Sequence, residues 1–137
     1  MKRTRYLAVL ALALLSACGG DSLSLGPDAI DGRWLAVNQA PGMSLHLILF
    51  TQNGAVTGVG DWTGEAILGG DVKTAGQVNG RFVSLDLVFE HLDNGVPTGT
   101  PFTEHFDGAF TSNNDVEGTT TQNGSQGQLH LQRLTGP

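Results

Sequence analysis

The sequence predicts an all-β domain of eight antiparallel strands, joined as an up-and-down barrel that is either round or flattened into a sandwich. Three observations carry this. From Arg33 onward, apolar residues recur with period two, as at Leu45, Leu47 and Leu49 and at Val83, Leu85, Leu87 and Phe89. No segment sustains a helical period, and 20 glycines interrupt any that would start. Tight-turn residues separate the alternating runs: Asn53-Gly54, Asn79-Gly80 and Ser112-Asn113-Asn114-Asp115.

The strands follow from the alternation, because successive side chains on a strand point to opposite faces. The first, near 33–38, turns Trp34 and Ala36 inward. The second, 44–51, turns in Leu45, Leu47 and Leu49. The third, 55–63, carries Val56 and Trp62 on that face with Gly58 and Gly60 between them. The fourth, 72–78, contributes Val72, Gly76 and Val78. The fifth, 81–90, contributes Val83, Leu85, Leu87 and Phe89. The sixth, 102–111, contributes Phe102, Glu104, Phe106, Gly108 and Phe110. The seventh, 115–121, contributes Val116 and Gly118, and the eighth, 128–134, Leu129 and Leu131. A meander through these strands puts the three tight turns at one end. The connections 39–43, 64–71, 91–101 and 122–127 fall at the other. The longest of these, 91–101, holds Asn94-Gly95, Pro97 and Pro101 and is expected to be a mobile lid.

The amino terminus is of another kind. Lys2, Arg3 and Arg5 precede an apolar run from Tyr6 to Leu15, and small residues follow, the pattern of a secretory signal peptide over 1–17. Leu15-Ser16-Ala17-Cys18 resembles the lipobox of bacterial lipoproteins. The resemblance implies cleavage before Cys18, lipidation of its thiol, acyl chains such as palmitate, and a membrane anchor. Gly19 and Gly20, with no Asp directly after the cysteine, imply the outer membrane in a Gram-negative cell. Residues 18–31 then read as a lipidated flexible tether and 32–135 as the barrel domain. Cys18 is the only cysteine, so no intrachain disulfide is possible. Removing Lys2, Arg3 and Arg5 from seven basic residues leaves four against thirteen acids, a formal charge of −9. Such a surface argues against nucleic acid and anionic head groups as partners.

Gly32-Arg33-Trp34 opens the first strand, and Arg133 closes the last. This is similar to the calycin superfamily (lipocalins, fatty-acid-binding proteins and avidins), in which a Gly-x-Trp starts the barrel and an Arg of the last strand stacks over the Trp. The resemblance implies a Trp34–Arg133 stack, and a barrel just wide enough to be filled by side chains or to hold one small ligand. Small residues on the inward face, Gly58, Gly60, Gly76, Gly108 and Gly118, either leave such a cavity or let the barrel flatten. The candidate ligand residues are Trp62, Phe89, Phe102, Glu104 and Phe106, with Glu104 the polar group that fixes orientation in an apolar site.

No catalytic or metal-binding pattern accompanies them. The four histidines lack metal-site spacing, and no serine sits in a nucleophile elbow. An enzyme site would need His91, Asp93 and Glu104 or His105 to converge. The sequence therefore favours a lipid-anchored binding protein for a small apolar or amphipathic ligand, with no cofactor. The second reading is a protein-interaction or inhibitor module, paired with a partner or a second copy. It rests on the apolar outward residues Leu35, Val37, Ile48, Phe50 and Val59. An enzyme ranks third.

Overall fold

The computed structural model describes residues 23, 25–26, 28–37, 42–64 and 69–136. The expected signal peptide over 1–17, and Cys18, lie outside the described residues. Eight strands follow one another: β1 Gly32–Ala36, β2 Ser44–Gln52, β3 Ala55–Thr63, β4 Gly69–Asn79, β5 Phe82–Asp93, β6 Val96–Ser112, β7 Asp115–Gln122 and β8 Ser125–Arg133. Each pairs antiparallel with the next, and β1 closes on β8 through Trp34↔Arg133 and Ala36↔Leu131. The result is a closed up-and-down barrel, without helix among the described residues.

The alternation sorts the faces as the sequence predicts. Trp34, Leu47, Leu49, Val56, Val72, Leu85, Leu87, Phe110, Val116 and Leu131 are all buried, while Trp62, Val78 and Phe102 pack against this core half-buried. The inward glycines do not line an empty space. A Cβ on Gly60, Gly76 or Gly118 would collide with a carbonyl of the adjacent strand, and one on Gly108 with the Phe106 ring. These positions let strands approach closely and let Phe106 fill the interior.

Two of the expected long connections are replaced by hairpins. β5 runs on to Asp93 and β6 begins at Val96, so the expected 91–101 lid is a two-residue turn. Asn94 and Gly95 take φ of 51° and 79°, the left-handed pair of a type I′ turn. Asn123 and Gly124, at 49° and 81°, do the same where 122–127 was expected as a loop. Pro97 pairs with Leu92 inside the ladder, and Gly99, Thr100 and Pro101 fall in a register shift between Thr98 and Phe102. Proline is accommodated there because a bulge frees it from supplying a ladder donor. Asn79-Gly80 is displaced by one residue: Asn79 pairs with Phe82, so the turn is Gly80-Arg81 with positive φ at Gly80 alone.

The turns after β2, β4 and β6 meet at one end. Val78 N–H donates to the Gly54 carbonyl (2.9 Å), Phe110 N–H to Arg81 (2.8 Å), Arg133 N–H to Asn114 (2.7 Å) and Leu134 N–H to Arg33 (2.8 Å). The chain enters β1 at this same end. Here the expected tether is partly wrong. Residues 28–31 form a turn closed by Asp31 N–H to the Asp28 carbonyl, Ile30 is fully buried, and Leu23, Leu25 and Ala29 pack against the core. An aperiodic Gly/Ser/Asp segment thus carries an apolar plug, and burying a side chain such as Ile30 is worth about 1.5–3 kcal/mol.

Candidate ligand site

The plug fills one end of the barrel. Trp34 donates its indole N–H to the Ile30 carbonyl (2.8 Å) and meets Phe110 edge-on at 6.1 Å. The Arg133 guanidinium lies over the Trp34 ring, its Cζ 4.4 Å from the centroid, a contact worth about 0.5–2 kcal/mol. It also donates to the carbonyls of Asp31, Ala29 and Asn113. Gly32 permits this. Its φ is +126°, and a Cβ there would stand 2.8 Å from Arg133 Nη1.

Among the described residues the opposite end is open. A cavity of about 290 Å³ enters the barrel between Leu45 of β2, Trp62 of β3, Phe89 of β5, Phe102 and Glu104 of β6, Thr120 of β7 and Leu129 of β8. That volume is at the lower edge of the roughly 300–1,000 Å³ of small-molecule sites. Phe89 and Phe102, direct cross-strand partners, stack at 4.8 Å with planes 5° apart. Trp62 meets both edge-on, at 5.9 and 6.1 Å. Its indole N–H donates to the Glu90 carbonyl (3.1 Å), which fixes the ring at the rim. The three rings make one rigid aromatic wall.

Glu104 is half-buried beside this wall. Among the described residues it has no hydrogen-bond or ion-pair partner and is the one ionisable side chain lining the cavity. Burial raises its pKa above the ordinary value for a glutamate, because a carboxylate loses solvation there without gaining a counter-charge.

Four of the five expected ligand residues therefore meet at the open end. Phe106 does not. It is fully buried beneath the cavity, because its ring occupies the space that Gly108 leaves. Leu45, Thr120 and Leu129 complete the lining. They share the inward parity at the open ends of their strands, the signal by which the sequence could have nominated them.

The convergence of His91, Asp93 and Glu104 or His105 that an enzyme site would need is not formed: Asp93 is exposed opposite Val96 and Glu104 pairs with Leu87. His91 lies beside Trp62, 6.1 Å between rings. His105 points outward, its Nδ1 2.7 Å from Asp86 and its Nε2 3.2 Å from Asp107. Ser84 Oγ lies 3.4 Å from that Nε2, so Ser84, His105 and Asp86 fall in the order of a nucleophile relay on the outer face. Period-two reading of neighbouring strands did not bring them together, because it carries no register. The hydrogen bond that His105 donates to Asp86, with Asp107 adding, raises the His105 pKa and favours imidazolium. An imidazolium with carboxylates on both nitrogens is a poor general base.

On the outside, a more open concavity of about 640 Å³ spans β1–β4, with Ile48 and Val59 on its floor and Arg33, Asp61, Asp71 and Lys73 around it. Among the described residues no group of His, Cys, Asp or Glu has the arrangement of a metal site.

Fold and site together define a class: a closed eight-stranded antiparallel barrel, plugged at one end and with an aromatic cavity at the other. No protein-family model, curated protein or solved structure matches the chain.

Proposed function

We propose that this is a calycin-like binding module, anchored by a lipid on Cys18, that holds a small apolar or amphipathic ligand in the cavity at its open end. The observation that carries the reading is the cavity itself. Its walls join Trp62, Phe89, Phe102, Leu45 and Leu129 to the polar side chains of Glu104, Thr120, Ser44, Thr63 and Gln128, and it sits above a packed hydrophobic core. The Trp34–Arg133 stack supports the calycin likeness. The lipobox tetrad Leu15-Ser16-Ala17-Cys18 supports an exported, membrane-anchored lipoprotein, in the outer membrane if the cell is Gram-negative. The chain enters at the plugged end, so an anchor there would leave the open cavity facing away from the bilayer.

Two experiments test this. Native mass spectrometry of the protein from its producing cell should show a bound small molecule that Thr120→Trp, a substitution filling the mouth, removes. The same species on both proteins would place it elsewhere and end the cavity reading. Cys18→Ala should release the protein from membranes; a variant that still resists carbonate washing would overturn the anchor.

The second reading is a partner protein, or a second copy, on the outer face. It is favoured by Ile48, Phe50 and Val59 at 40%, 55% and 56% exposure, with Ile48 and Val59 directly paired across β2 and β3. Val59→Lys should then abolish a sedimenting dimer or a crosslinked partner. A wild-type monomer at high concentration with no crosslinked partner would remove this reading.

A further inference from the structure

We infer that the open-end cavity selects ligands that carry a positive charge, a small organic ammonium with an apolar body, and that Glu104 is its counter-ion. The inference rests on the cavity being a ligand site and names what that site prefers.

Three independent features point to a cation. Among the described residues Glu104 is the sole ionisable group on the lining, it is half-buried, and none of them neutralises it. A ligand ammonium would supply the missing partner through a charge-assisted hydrogen bond or ion pair in a partly desolvated site. Next, no Lys or Arg occurs between Arg33 and Lys73, or between Arg81 and Arg133. Every connection at the open end falls within those two stretches. Arg33, Arg81 and Arg133 stand at the plugged end, and Lys73 points outward, 2.7 Å from Glu90. An anionic head group would find no cation at the mouth and would face Glu104. Finally, the wall beside Glu104 is aromatic: Trp62, Phe89 and Phe102 offer π surface, which attracts ammonium groups.

The remaining titratable groups among the described residues at this end do not change the sign, and His46 turns outward onto Asp61 at 3.0 Å. Asp93 sits exposed beside the Asn94-Gly95 turn, and Asp61, Asp71 and Glu90 lie on the outer face of neighbouring strands. All are acids. His91 touches Trp62 at the rim. Because burial raises the Glu104 pKa, its carboxylate recruits a cation above that pKa and loses the preference as pH falls through it.

The experiment is calorimetric titration of the full chain with three probes sharing one six-carbon body: hexyltrimethylammonium, 1-hexanol and hexanoate. The ammonium should bind about ten- to a hundredfold tighter than hexanol, with hexanoate weakest. Glu104→Gln should bring the ammonium level with hexanol, and lowering the pH should do the same to the wild type. If all three probes bind alike, or hexanoate binds best, the charge preference is overturned and the cavity reading stands. If none binds the wild type, both fall.

Discussion

The two ends of the barrel are built from the same materials to opposite purpose. At the plugged end, Trp34 and Phe110 are fully buried, the Trp34 indole N–H is satisfied by Ile30, and Arg133 is bound to three carbonyls. At the open end, Trp62 and Phe102 are half-buried, the same kinds of ring line a space of about 290 Å³, and Glu104, the one ionisable group among the described residues of the lining, has no partner among them. What separates the ends is the chain before β1. Residues 28–31 cross one mouth and bury Ile30 in it, and no described segment does so at the other. Stability is concentrated where polar groups are matched, and binding capacity where they are not.

The contrast can be broken by substitution, and the largest effect belongs to the plug. Trp34→Ala should cost about 3–5 kcal/mol in urea unfolding, because it opens a cavity and strips both Ile30 and Arg133 of their ring partner. Gly32→Ala should cost roughly 1–3 kcal/mol, since it forces an alanine to φ +126° and a methyl against Arg133. Neither should alter ligand affinity in the fraction that remains folded. Phe102→Ala, at the open end, should cost only about 1–2 kcal/mol, because the ring is half-buried and borders space already empty. It should weaken ligand binding more than either plug variant, as titration calorimetry would show.

The smallest effect sharpens the comparison electrostatically. Glu104 has a folded pKa above its unfolded one. The folded state therefore holds its proton more tightly, and stability falls as pH rises through the window above the unfolded value. Glu104→Gln should raise the melting temperature modestly at pH 7, and the gain should vanish toward pH 4. A Gln variant less stable than wild type at pH 7 would mean the carboxylate has a partner after all.

Much of this was legible in the sequence. The parity of Leu45, Leu47 and Leu49, and of Val83 through Phe89, assigned the inward face because a closed barrel has only two faces to choose between. Trp34 and Arg133 were readable as a pair because the first and last strands must meet. Depth was not readable: Phe102, Glu104 and Phe106 share one parity, and only the packing of Phe106 over Gly108 decides which of them line the cavity. The Asn-Gly signal was present at Asn94 and Asn123 as clearly as at Asn53, but Pro97, inside the ladder, and Pro101, in a register shift that has no simple sequence mark, obscured the first. Ile30 went unseen because a single anchor in an aperiodic segment has no period to betray it.

The chain's two tryptophans stand one at each end, and both indole N–H groups are held, Trp34 to Ile30 and Trp62 to Glu90. They report separately on the plug and on the cavity. Titrating the protein with hexyltrimethylammonium while following both indole resonances by NMR is the most direct test of a divided barrel. The Trp62 signal should shift in a saturable way while that of Trp34 stays in place. Equal movement of both, or movement of Trp34 alone, would contradict the assignment of binding to the open end.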